Sequence, residues 1–259
     1  MTIFHFTPSQ IEAFFLIFVR IGAMFFTAPL FSDHRIPLQI RAALSFLLAI
    51  ILQPIVAPAG AGVSGSIPIF CLLLTKEILV GVIIGFAANL VFQIVQMASE
   101  MQDMSAGFGF AGMVDPHMEQ SSAILGQFQT VLMWLIFLTV NGHHVLLQGI
   151  ADSFYIVPLG AFQFHSSLAG ELVMLLTTMM LIALRMSAPV IGAVLLTNLA
   201  MGMLQRTAPQ LNLISVGFPV TITLSLVIVM FALPFIIPMQ RDLIPYMGRI
   251  IDSFLVLSH

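Results

Sequence analysis

Charge is what this sequence has least of. Only 8 Lys and Arg and 11 Asp and Glu are spread over 259 residues, against 59% hydrophobic residues and a mean hydropathy of +1.09. Soluble domains carry about 25% charged residues, and here the charged share is 7%. A water-facing surface cannot be built from that composition, which excludes a soluble globular protein. The formal net charge of −3 leaves no basic patch of the kind nucleic-acid binding requires. A single cysteine, Cys71, excludes a disulfide framework and a thiolate metal site. It lies in an apolar run and is expected as core filler. The N-terminal residues MTIFHFTPSQIEAFF lack the basic region of a cleavable signal, and Glu12 interrupts them. The first apolar run is therefore expected to be retained.

What the chain has instead is length of apolar sequence. A membrane-spanning helix needs about 20 apolar residues, and six runs approach or exceed this: Ile11 to Phe31, Ala42 to Val56, Ile67 to Ala98, Gln120 to Ala151, Leu172 to Leu204 and Leu211 to Met239. The expected fold class is all-α, a polytopic hydrophobic helical protein. No repeat of 20 to 50 residues and no low-complexity tract divides it. Charge bias sets a puzzle. Cytoplasmic loops hold the Lys and Arg, so Arg35 and Arg41 place the first connector inside, and Arg241 and Arg249 ask the same of the tail. Six ordinary spans cannot satisfy both. Either one run is a re-entrant pair, or some of these helices are not ordinary lipid-facing spans. The candidates are the uncharged run broken by Asn141-Gly142 and the run broken by Pro189. Irregular backbone at membrane depth is tolerated only when it is buried in protein or lines a cavity.

The most unusual stretch lies between the third and fourth runs, from Ser99 to Ser122, SEMQDMSAGFGFAGMVDPHMEQSS. It gathers Glu100, Asp103, Asp115 and Glu119 without a Lys or Arg. Between them Gly107, Gly109 and Gly112 alternate with Phe108, Phe110, Met104 and Met113. Glycines permit backbone shapes closed to other residues, and Pro116 stops a helix arriving from the N-terminal side. The expectation is an irregular loop of soft apolar side chains that packs into a hole or closes one. A plain solvated connector would not need so many Phe and Met. Gly107, Gly109 and Gly112 also match the dinucleotide fingerprint G-x-G-x-x-G. That motif requires a strand before, a helix after and an acidic residue about twenty positions on. Gln120 to Ile150 contains no Asp or Glu, and Pro116 stands where the helix would run. A nucleotide cofactor is rejected, and none of any kind is expected.

Charges inside apolar runs are costly and are usually paired or functional. Arg20 and Arg185 are the clearest cases. Glu12 is about 80° around the helix from Arg20, so partners for both arginines are expected on other helices or other chains. No acid–base relay follows any one run, which favours interface charges over an ion path. His143, His144, Asp152 and His165 do not have metal-ligand spacing, because adjacent helical histidines diverge by about 100°. H-E-x-x-H and G-x-S-x-G are both missing, and an enzyme is not expected. Gly81 and Gly85, followed by Ala88, give one helix a face that a neighbour can approach closely. A small-solute transporter remains the alternative from another class. It would show matching broken helices in two halves, and no such internal symmetry is found.

Several blocks, in order, carry a more specific signal: Arg20-Ile-Gly-Ala-Met-Phe-Phe-Thr-Ala-Pro29 with Ile36-Pro37 and Arg41-Ala-Ala; Leu138-Thr-Val-Asn-Gly-His-His144 with Ser153-Phe154 and Val157-Pro-Leu-Gly160; Ala183-Leu-Arg185-Met-Ser-Ala-Pro189 with Asn198-Leu-Ala-Met-Gly202, Ala208-Pro-Gln-Leu-Asn212 and Val216-Gly-Phe-Pro219. With these the sequence resembles the FliR family of flagellar biosynthetic proteins and its virulence-secretion relatives, the export-gate components of type III secretion. The likeness spans nearly the whole chain and is weakest after about Pro238. It implies a FliP-like part, roughly residues 1–170 including the loop 99–122, joined to a FliQ-like hairpin and tail, roughly 171–259. It implies assembly with FliP and FliQ, association with FlhB and FlhA, and a place in the flagellar basal body at the bacterial inner membrane. Unfolded secreted proteins would pass through the resulting pore. The resemblance also implies that a loop of this subunit plugs the closed pore, here Met104 through Met118. Met104, Phe108, Phe110 and Met113 would form the plug, with Gly107, Gly109 and Gly112 as hinges and Arg20 and Arg185 at subunit interfaces. A hydrophobic constriction of that kind gates by dewetting.

Overall fold

The structure, a computed structural model, describes residues 8–29, 31, 36–56, 66–108, 124–207 and 213–258. Among them there are helices and no strands: α1 (Pro8–Thr27), α2 (Leu38–Val56), α3 (Ile67–Ala106), α4 (Ile124–Thr139), α5 (Gly142–Ile156), α6 (Ser167–Thr207) and α7 (Leu213–Leu257). The chain divides into two compact units. The first comprises Met1–Leu90, Asn141–Met174 and Pro245–His259; the second comprises Val91–Val140 and Leu175–Ile244.

In the first unit α1 supplies the organising stripe. Ala13, Leu16, Ile17, Arg20, Ile21, Met24, Phe25 and Ala28 are all buried, the i, i+3, i+4, i+7 spacing of a one-sided helix. Against this stripe lies α3. The face read as small meets α1 closely. A Cβ at Gly81 would stand 2.2 Å from the Arg20 carbonyl oxygen and 2.8 Å from Ala23 Cβ. At Gly85 it would stand 1.9 Å from Thr27 Oγ1 and 2.7 Å from the Met24 carbonyl. Phe46 of α2 packs edge-on against Phe14 at 5.3 Å. The end of α7 also belongs to this unit, where Met247, Ile251 and Leu255 are fully buried. A Cβ added at Gly149 would stand 3.3 Å from Ile251 Cγ2, and one added at Gly248 would stand 3.3 Å from Val145 Cγ1, so α5 and α7 pack through glycines. Ser253 Oγ donates to Glu171 Oε1 at 2.8 Å.

The second unit holds the last turns of α3 with α4 and most of α6 and α7. Phe92 packs against Trp134 and Phe137 with ring centroids 4.6 and 5.4 Å apart. Ala98 of α3, Met133 of α4 and Ala183, Met186 and Val190 of α6 are also buried in this unit. Much of the remaining surface is apolar, including Leu195, Leu199, Met230 and Phe231, which is the surface of a protein covered by lipid or by partners.

Several expectations change. The irregular loop was placed from Ser99, but α3 runs on to Ala106. No glycine or proline occurs in Ser99–Ala106, and Met and Gln continue a helix at little cost. The break at Asn141-Gly142 is present: Asn141 has φ 58° between α4 and α5. No break occurs at Pro189, which lies inside the continuous α6. Neighbouring groups can take up a backbone carbonyl freed by proline in an apolar helix. Cys71 is exposed on α3 and is no core filler; its apolar run faces outward there. The charged tail after Met239 is helical to Leu257.

Five helices are long and apolar enough to cross a membrane, and the α4–α5 pair raises this to six if counted as one broken span. Counted as re-entrant, that pair leaves five crossings.

Candidate functional site

The first unit is held together around Arg20, which the apolar stripe of α1 carries inward. Its side chain and that of Glu77 on α3 are both fully buried, and Arg20 Nε donates to Glu77 Oε2 at 2.5 Å. Nη1 donates to the Ser153 carbonyl at 3.0 Å, to Ser153 Oγ at 3.2 Å and to the Val157 carbonyl at 3.0 Å. The guanidinium lies 4.3 Å from the Phe154 ring centroid, a favourable cation–π placement. Glu77 Oε1 in turn accepts from the Gly160 amide at 2.7 Å, and Lys76 Nζ donates to the Gly160 carbonyl at 3.0 Å. Gly160 has φ 76°, a left-handed backbone that favours glycine. One buried ion pair thus joins α1, α3 and the turn after α5.

Arg20, read as a charge that needs a partner on another helix or another chain, has that partner on α3 of its own chain. Its hydrogen bonds and ion pair lie inside the chain because its position on the stripe points it into the core. The signal for Glu77 was available: an acid in the apolar start of α3, directly after Lys76. Pairing it with Arg20 needed the tertiary fold, since 57 residues separate them. Two of the sequence blocks, Arg20 onward and Ser153 to Gly160, meet at this point.

A second centre lies in the other unit, where the central loop begins. Helix α3 ends in a glycine cap: the Gly107 amide donates to the Met104 carbonyl at 3.3 Å, and the Phe108 amide donates to the Asp103 carbonyl at 3.1 Å. Gly107 has φ 92°. This pair of bonds is the Schellman arrangement, which calls for glycine at the left-handed position. Phe108 then folds back into a cluster of Ala106, Leu125, Val190, Val194 and Val229. The Asp103 side chain reaches α4, its Oδ1 accepting from the Leu125 amide at 3.1 Å and its Oδ2 from the Gly126 amide at 2.9 Å.

Of the residues expected to form the plug, Met104 is exposed at 79% and Phe108 is buried at 9%. Phe110, Met113, Gly109 and Gly112 lie outside the described residues. Gly107, expected as a hinge, is the left-handed cap residue after α3. Arg185 is exposed on α6, directly after the exposed Leu184 and one turn after the exposed Leu181, and it makes no ion pair among the described residues. His143 and His144 have ring centroids 4.4 Å apart, but no group of His, Cys, Asp or Glu fit to hold a metal occurs among the described residues. Composition and fold define the class of protein: a helical, polytopic membrane protein organised by buried polar ties.

The comparisons narrow that class. The family profile of bacterial export proteins, family 1, matches residues 11–247. The flagellar biosynthetic protein FliR of Bacillus subtilis (strain 168) is 36% identical over 238 residues, 89% of this chain and 89% of that protein. FliR of Pectobacterium carotovorum subsp. carotovorum is 32% identical over 237 residues, 90% of this chain and 88% of that protein. FliR of Escherichia coli (strain K12) is 30% identical over 239 residues, 91% and 89% of the two chains. The chain belongs to the bacterial export proteins, family 1.

Proposed function

We propose that this chain is the FliR-type subunit of a flagellar export gate in the bacterial inner membrane. The observation that carries the reading is the end-to-end match to FliR proteins, joined to a fold with long apolar helices. In this reading it assembles with FliP and FliQ, meets FlhB and FlhA, and lines the pore through which unfolded substrates enter the secretion channel. It catalyses no reaction. The FliP-like part, roughly 1–170, and the FliQ-like part, roughly 171–259, are a division of likeness; the compact units interleave the chain differently. The segment from Met104 to Met118 is the plug of the closed pore. Because Phe108 is buried in the second unit, it serves as the anchor of the plug, and sealing falls to Met104, Phe110 and Met113. Gly109 and Gly112 give the segment its freedom to swing.

The test is a strain whose chain lacks residues 109–112, with Gly107 and Phe108 kept so that the anchor survives. Passage of small molecules across the inner membrane is expected to rise several-fold over wild type while export and motility persist. A tight membrane with lost export would mean that the segment only packs the assembly, and the plug reading would be wrong.

Arg185 supports the same assembly. An exposed guanidinium amid exposed leucines is costly against lipid and suits a carboxylate on a neighbouring subunit. Arg185→Glu is expected to cost the interface about 2–5 kcal/mol, seen as loss of FliP and FliQ from the purified complex, whereas Arg185→Lys keeps them. Equal recovery of the complex from both variants would place Arg185 elsewhere.

A further inference from the structure

The carboxylate of Asp103 does something that a helix-end acid in an apolar protein does not need to do for its own helix. It is 5% exposed, and both of its oxygens are used on another helix, at the amides of Leu125 and Gly126. Those amides belong to the first turn of α4, whose donors have no partner within the helix. A carboxylate there also meets the positive end of the helix dipole. Bonds from backbone amides to an ionised acceptor are about twice as strong as neutral ones.

The neighbouring residues make the joint specific. Gln102 accepts a hydrogen bond from Gln129 Nε2 on α4 and donates to the Met186 carbonyl of α6 at 3.2 Å. The glycine cap at Gly107 turns the chain so that Phe108 packs on Leu125 and the valines of α6 and α7. Adjacent residues of α3 therefore hold the first and second turns of α4, and the chain beyond α3 is anchored at the same place. We propose that Asp103 is the positioning residue of the α3–α4 joint: its carboxylate clamps the start of α4 to the end of α3. Its consequence for pore sealing rests on the plug reading above.

The experiment compares Asp103→Ala and Asp103→Asn with wild type in the intact solubilised assembly, reading amide hydrogen exchange in peptides that cover Leu125 and Gly126. The same strains are assayed for leak of small molecules. Ser105→Ala is the control, since that hydroxyl bonds only within α3, to the Met101 carbonyl. Exchange at Leu125 and Gly126 is expected to quicken by about tenfold in Asp103→Asn and more in Asp103→Ala, as for loss of a hydrogen bond to a charged group. Peptides of α6 around Leu195–Leu199 should stay near wild type. Faster local exchange with increased leak supports both the clamp and the plug. Faster local exchange with a tight membrane keeps the clamp and removes the plug reading. Unchanged exchange at the two amides, or an equal rise in α6, overturns the clamp. If the alanine variant does not accumulate, the asparagine variant, which keeps one acceptor oxygen, decides between the same outcomes.

Discussion

Replacing Arg20 with methionine, or Glu77 with glutamine, is expected to destabilise the protein by about 3–5 kcal/mol, the usual cost of breaking a buried ion pair from one side. Both side chains are fully buried, so the remaining charge has no water to turn to. In Arg20→Met the Glu77 carboxylate keeps only the Gly160 amide, the Val157 carbonyl loses its donor, and the Ser153 carbonyl keeps only the Val157 amide. In Glu77→Gln the guanidinium keeps those carbonyls but faces a neutral amide. The double variant Arg20→Met with Glu77→Met is expected to recover part of the loss, because an apolar pair of similar volume removes both charges together. Recovery should be incomplete, since the Val157 carbonyl and the Gly160 amide would still lack their partners. The measurement is a double-mutant cycle on the thermal midpoint of the purified full chain in its assembly, with accumulation in membranes as a second readout. Single variants as stable as wild type would show that the pair does not hold α1, α3 and the turn after α5 together.

Glycine-to-alanine changes on α3 should be nearly as damaging, and they test the packing of α1 and α3 directly. At Gly81 the added carbon would stand 2.2 Å from a backbone oxygen, that of Arg20, which cannot move without shifting α1. At Gly85 it meets Thr27 Oγ1, the Met24 carbonyl and the Ala28 amide, all under 3.0 Å. Overpacking of this kind costs typically about 1–3 kcal/mol, and more where backbone must move. The Gly81 change would also displace the residue that carries the buried guanidinium. Gly192→Ala on α6 is the internal control: nothing lies within 4 Å of a Cβ there. Alanine in a helix interior is favoured over glycine by about 1 kcal/mol. Thermal midpoints should fall for Gly81→Ala and Gly85→Ala and hold or rise for Gly192→Ala. Three equal responses would rule out close helix contact at Gly81 and Gly85.

The sequence was most legible where one helix decides the matter alone. The small face at Gly81 and Gly85 and the interruption at Asn141 both depend on spacing within a few turns, and the structure holds both. Longer reach failed. Pro189 reads as a break, yet α6 continues through it. Asp103 reads as an acid at the base of a loop, yet its carboxylate is a cap for another helix. Phe108 reads as part of an apolar loop that packs into a hole or closes one, and the glycine cap turns it into the core of the second unit. These residues were visible, but their partners lie on helices that only the fold brings near.

By itself the sequence determined that this is an all-helical membrane protein of the bacterial export family, because composition and the order of short blocks survive without knowledge of contacts. It also determined that Arg20 and Arg185 need partners, since a charge in an apolar run is costly in any fold. Only the tertiary structure decided that the two arginines differ. Arg20 points along the buried stripe of α1 into Glu77, whereas Arg185 faces outward from α6 with its neighbours exposed. The reason is geometric: the direction of a helical side chain follows from spacing, but whether that direction is core or surface depends on which helix packs there.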